Sequence, residues 1–132
     1  MREVLIANSI SHLEEGNGRI AIIEAVIALE ATARQVAPTA ITRLPGASSL
    51  NQDHLDKLIE HMGLSAFVNI GLGTIKGLAG INETDIEVVA EAIKKRNNII
   101  HNAERDVSVS DAQRCVSAIK RVIDTLEQWA RR

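Results

Sequence analysis

Along most of the chain the apolar residues recur three, four and seven positions apart, the spacing that gives a helix one buried side. From about Arg2 to Glu15 the apolar side is Leu5 or Ile6, Ile10 and Leu13, a modest helix that Gly16-Asn17-Gly18 should end. From Arg19 to about Val36 apolar residues stand nearly all round, with Ile20, Ile22, Ile23, Val26, Ile27 and Leu29. Such a helix belongs at the centre of a bundle. The pattern lapses from Pro38 to Ser49, where Pro38, Pro45-Gly46 and Ser48-Ser49 mark a long loop. Ser49 or Asn51 can cap the next helix, which runs to about Met62 with Leu55, Leu58, Ile59 and Met62 inward. A later helix spans Glu83 to Ile100 with Ile86, Val89, Ala90, Ile93 and Ile100 as its stripe. It begins at Asn82 or Thr84, and Thr84-x-x-Glu87 has capping-box form. After a polar bend, Ser108 or Ser110 caps a last helix to about Trp129, with Val109, Ala112, Val116, Ile119, Val122, Ile123 and Leu126 inward. These elements predict an all-α bundle of four to six helices in one domain over residues 1–132, whether alone or as a piece of a longer protein.

Length and composition narrow the partners. A chain of 132 residues can bury a real core. With 24% charged residues and a formal net charge of −2 it is not a broadly basic protein, so any nucleic-acid contact must come from a local patch. Phe67 and Trp129 are the whole aromatic complement, too few for the stacking platforms of single-strand binders. Cys115 is the sole cysteine, which rules out a disulfide framework and a cysteine-based zinc site. It falls among Ala112, Val116 and Ile119 and reads as a small buried hydrophobe rather than a nucleophile. The most apolar run, Ile20 to Ala33, is interrupted by Glu24 and Glu30, so no membrane span is expected. A cytoplasmic setting is the default expectation, with no metal and no cofactor called for by the residues.

One short stretch gathers chemistry. Lys94-Lys95-Arg96-Asn97-Asn98-Ile99-Ile100-His101-Asn102 puts fixed cations, an imidazole and side-chain amides at the end of one helix. Arginine offers a permanently charged planar fork for phosphate oxygens, and histidine exchanges protons near neutral pH. At about 100° per residue, Asn97 and His101 lie about 40° apart on one face, whereas Arg96 and His101 are about 140° apart. In the plain structural reading, Arg96 is a surface ion-pair partner and His101 a polar residue favoured at a helix C-terminus. Lys94, Lys95, Arg96 and Arg105, with Arg114, Lys120 and Arg121 on the next helix, could together form a basic patch for RNA.

The segment Arg96-Asn97-Asn98-Ile99-Ile100-His101 resembles the RxxxxH signature of the HEPN family of small helical domains, with the polar residue that the family favours directly after the arginine. The order of helix, polar linker and closing helix is similar as well. The resemblance implies a two-fold homodimer in which two motif helices face each other, and metal-independent endoribonuclease activity with Arg96 and His101 as catalytic residues. Asn97, Asn102 and Glu24 would support them, and Lys94, Lys95 and Arg105 would contact RNA. It also implies a toxin or defence setting held in check by an antitoxin or another regulatory protein. One branch of the family is silenced by modification of a tyrosine two residues past the motif histidine. Ala103 stands at that place here, and the chain has no tyrosine. A competing reading makes the same domain a non-catalytic module that dimerises or binds a nucleotide or protein.

Other candidates are weaker. Glu24 and Glu30 sit on a mostly buried helix and need partners. Glu30 has Arg34 four residues on, which leaves Glu24 freer to orient Arg96 or His101. His12 reads as a partly exposed bystander. His54 and His61, about 10 Å apart in rise, cannot share one metal and read as surface residues. Gly71-x-Gly73 and Gly77 imitate a phosphate-cradling turn but lack its lysine and its following strand.

Overall fold

The computed structural model describes residues 2–43, 80–103 and 107–132 and the single positions 53, 57, 61 and 63. Among them are four α-helices and no strand: α1 (Arg2–Glu14), α2 (Gly18–Thr42), α3 (Glu83–Asn102) and α4 (Val109–Arg131). The sequence stretches 44–52 and 64–79, with the expected cap at Ser49 or Asn51, His54 and the Gly71-x-Gly73 turn, lie outside the described residues, as does Arg105.

The turn between α1 and α2 follows from three residues. Gly16 takes a φ of 78°, open to it because it lacks a Cβ. Its N–H bonds Leu13 O at 3.0 Å and the Asn17 N–H bonds His12 O at 2.7 Å, the paired bonds that close a helix around a left-handed residue. Asn17 then starts α2, its Oδ1 accepting from the Ile20 N–H at 3.4 Å.

Helix α2 is central, as its all-round apolar sequence predicts: it packs on α1, α3 and α4. Ala21, Ile22, Ala25, Val26, Ala28 and Leu29 are wholly buried. Its alanines let neighbours come close, and Gly18 shows how close. A Cβ at Gly18 would stand 3.0 Å from Ala112 Cβ. Among the described residues two polar side chains are fully buried, and both are satisfied by backbone carbonyls. Ser9 Oγ donates across the helix pair to Ala21 O at 2.6 Å, and Thr32 Oγ1 donates to Ala28 O at 3.0 Å.

Contrary to the expected break at Pro38, α2 continues through it to Thr42. Proline forfeits one backbone hydrogen bond in a helix interior. Here the last turn has outside support: Val36 and Ala37 are buried, and Arg43 donates to Trp129 O at 2.5 Å and Ala130 O at 3.2 Å. The Arg43 guanidinium also lies 4.8 Å from the Trp129 ring centre.

Helix α3 starts at Asn82 rather than Thr84, with Asn82 Oδ1 accepting from the Thr84 N–H at 2.8 Å. Its buried residues are Val88, Val89, Ala92, Ile93 and Ile99, with Ile86 and Ala90 partly covered. Ile100, expected inward, is 54% exposed. At this end of α3 the buried side continues along the line of Val88 and Ala92, which Ile99 extends at steps of four and seven residues. Helix α4 starts at Ser108, whose Oγ accepts from the Asp111 N–H at 3.1 Å. It runs antiparallel to α3, and three ion pairs mark the seam: Lys95–Asp111, Glu91–Arg114 and Asp85–Arg121. Helix α4 is parallel to α2, with Ala112 beside Gly18 at one end and Trp129 beside Arg43 at the other. Among the described residues no helix is long and apolar enough to cross a membrane.

Candidate functional site

Arg96 follows Ala92 by four residues and precedes Ile99 by three, so the helix turns it inward between two buried positions. Its side chain is only 20% exposed, and its Nη1 lies 4.0 Å from Glu30 Oε2 on α2. Asn97 holds the other side of the guanidinium, with Oδ1 accepting from Arg96 Nε at 3.1 Å. Glu30 also accepts from Arg34 Nη2 at 3.0 Å through Oε1, which is the local pair expected from their spacing. One carboxylate therefore lies between two guanidinium groups.

Glu24 does not take the place expected for it. About 120° from Glu30 around α2, it faces α1, where its Oε1 lies 3.4 Å from His12 Nε2. The partner of Arg96 is Glu30, which the local Arg34 pairing had masked in the sequence. The missing signal was the phase of Arg96 itself, since an arginine between buried positions calls for a carboxylate on the facing helix. His12, read as a bystander, is flanked by Glu24 and by Glu15, whose Oε2 is 3.6 Å from Nδ1.

His101 is exposed in the last turn of α3, next to exposed Asn102, whose Nδ2 donates to Asn98 Oδ1 at 3.3 Å. The helix closes at Ala103, which adopts the left-handed conformation (φ 50°, ψ 35°) and returns its N–H to Asn98 O. Within one chain Arg96 points into the α2–α3 seam and His101 away from it, in line with the 140° separation read from spacing. Asn97 is exposed and bridges the two directions.

The expected basic patch is largely neutralised. Besides Arg96, Lys95 faces Asp111 at 3.8 Å, Arg114 meets Glu91 at 2.8 Å, and Arg121 forks onto both oxygens of Asp85 at 2.8 and 3.0 Å. Hydrogen bonding to Glu91 and to Asp85 raises the pKa of Arg114 and Arg121 respectively. Lys94 and Lys120 are exposed. Cys115 is wholly buried, and burial pushes its thiol up from the ordinary value, in keeping with a core role. His61 is exposed, and no group of three or more potential metal ligands occurs among the described residues.

Three isoleucines of α2 and α3 lie open to solvent: Ile20 is 39%, Ile27 41% and Ile100 54% exposed. Counted around α2 from Glu30, Arg34, Ile27 and Ile20 follow at about 40°, 60° and 80°; counted around α3 from Arg96, Ile100, Asn97 and His101 follow at about 40°, 100° and 140°. Because α2 and α3 run antiparallel, these rotations open onto the same side of the molecule. Arg34, the isoleucines, Asn97 and His101 therefore share one face. No family model, no curated protein and no solved structure matches this chain.

Proposed function

We propose that the chain is a metal-independent endoribonuclease of HEPN type that works as a two-fold homodimer, with Arg96 and His101 as its catalytic pair. The observation that carries this reading is the shared face: an apolar rim of Ile20, Ile27 and Ile100 beside Asn97 and His101, with Arg96 held at its edge by Glu30 and Asn97. Covering the rim with a second copy would bring two motifs across the axis, and the angular gap between Arg96 and His101 would close between chains.

In this mechanism one His101 imidazole takes the proton of a ribose 2′-hydroxyl. The 2′-oxygen attacks phosphorus, the bond to the 5′-oxygen breaks, and the second copy's imidazolium returns a proton to it. Arg96 offsets the charge that gathers on the phosphoryl oxygens. The products are a 2′,3′-cyclic phosphate and a 5′-hydroxyl, and DNA, without the 2′-hydroxyl, is spared. A toxin or defence role under an antitoxin, in the cytoplasm, is the setting that this reading favours.

The second reading is a non-catalytic dimerisation or binding module for a nucleotide or protein. The carboxylates matched to Lys95, Arg96, Arg114 and Arg121 favour it, because they leave little net positive charge to draw RNA. The two part on one experiment: purified protein and His101→Ala are incubated with structured and unstructured RNA and with DNA, with and without a chelator. Chelator-resistant cleavage of RNA but not DNA, with a 10²- to 10⁴-fold loss in the variant, is roughly the effect of losing an acid–base group. Equal cleavage by both proteins, or none by either, selects the binding reading.

A further inference from the structure

We infer that Arg34, with Arg96, forms a two-arginine clamp for a phosphodiester of the substrate strand, and that Glu30 occupies the clamp when no strand is bound. This rests on the ribonuclease reading and adds to it a binding residue from α2. The geometry is specific. Glu30 Oε1 accepts from Arg34 Nη2 at 3.0 Å while Oε2 lies 4.0 Å from Arg96 Nη1. A carboxylate and a phosphodiester both offer a pair of oxygens to arginine forks, so a gap bridged by one suits the other. The charge balance agrees: two guanidinium groups and one carboxylate leave a single positive charge, which one phosphodiester neutralises.

The two arginines differ in a way that divides their work. Arg96 is 20% exposed and braced through Nε by Asn97, so it is fixed. The Arg34 side chain is 79% exposed and held by its ion pair with Glu30, so it can swing to a strand at little cost. It stands on the face shared with Ile27 and His101, where a strand reaching the motif must pass. Arg34 is thus a binding residue and Glu30 a positioning residue for Arg96 that also competes with the substrate.

The test uses a short single-stranded RNA, with binding measured on a 2′-deoxy version to prevent cleavage and turnover measured on the all-ribose strand. Arg34→Gln should raise Kd and KM by roughly five- to tenfold, a larger change than in kcat. It should flatten the plot of log K against log salt by about 0.7 for each clamp the strand crosses. Glu30→Gln should move binding the opposite way, tighter and steeper in salt, while kcat falls because Arg96 loses the charge that steers it. An unchanged Kd and salt slope in Arg34→Gln, with cleavage by the parent intact, overturns the clamp and leaves the ribonuclease reading standing. Weaker binding by Glu30→Gln would likewise overturn the competition. If the parent neither cleaves nor binds RNA, both proposals fall together.

Discussion

Arg96 and Glu30 face each other from α3 and α2, Nη1 to Oε2 at 4.0 Å, at a seam where both side chains are largely shielded from solvent. The distance is long for a hydrogen bond, so the guanidinium is steered by charge rather than clasped. That leaves its fork open to another acceptor. A residue held this way can serve stability, phosphate recognition or both, and a substitution that keeps the charge separates them.

Arg96→Lys should therefore fold and dimerise like the parent, with stability within about 1 kcal/mol, because an ammonium can still answer Glu30 across such a distance. RNA turnover per folded molecule should fall sharply, since the planar fork is gone. A lowered melting temperature with turnover intact would make Arg96 a structural ion-pair partner and remove it from the catalytic pair. Thermal melts and single-turnover cleavage on the same sample decide.

The isoleucine rim predicts how the dimer comes apart. Ile27→Asp and Ile100→Asp each alter a side chain already about half exposed, so monomer stability should move by roughly 0.5 kcal/mol or less. Buried in a dimer contact, the same carboxylate would be a desolvated charge without a partner. Light scattering should show the parent near twice its 14.3 kDa chain mass and each variant near that mass. A monomeric parent at micromolar concentration counts against the composite site.

Arg43 offers a test of the bundle independent of function. Arg43→Met keeps the stem over Trp129 but removes both hydrogen bonds to the end of α4, for a loss of about 1 to 2 kcal/mol. Trp129 is the single tryptophan, so its fluorescence reports this corner alone. A red-shifted emission at unchanged helix content is the expected signature, and an unperturbed spectrum would mean that the Arg43 contacts with the end of α4 are not formed in solution.

At Ala103 the backbone occupies the left-handed region without the freedom of glycine. Ala103→Gly should stabilise the protein by about 0.5 to 1 kcal/mol, the relief of the Cβ clash exceeding the added freedom of the unfolded chain. Chemical denaturation measures it. A net loss would show that α3 ends differently in solution.

Cys115 carries the pH prediction. Burial favours its neutral thiol, so the folded pKa lies above the ordinary value of 9.0. Below that pH the contribution is fully present. As pH rises through it, the unfolded chain releases a proton that the folded chain keeps, and stability falls. Cys115→Ala should flatten the decline of the urea midpoint on the alkaline side, and a thiol reagent should react with the parent only as fast as the core opens. Rapid labelling of native protein would contradict the burial.

Much of the fold was legible because it was local. Gly16 announced the end of α1, the all-round apolar run placed α2 at the centre, and the four-residue step from Glu30 to Arg34 gave their pairing. The Pro38 break failed because the support for that turn comes from Trp129 and Ala130, more than eighty residues on. The stripe of α3 was right for Val89 and Ile93 and wrong at Ile100, because the buried side at that end runs through Val88, Ala92 and Ile99 instead. Glu24 was assigned to the wrong neighbour, and Glu30, rightly paired with Arg34, has a second partner in Arg96 that spacing alone did not give. Each faces a different helix, and nothing in the sequence says which helix lies on which side of α2.

The parallel pairing of α2 with α4 has a consequence during synthesis. Gly18 is matched to Ala112 and Arg43 to Trp129, so the segment that covers much of α2 leaves the ribosome long after α2 itself. Until α4 emerges, the α1–α2 hairpin must wait with Ile22, Val26 and Leu29 only partly sheltered. A nascent chain paused in that interval is a client for a chaperone, and slow translation between α3 and α4 would lengthen its exposure.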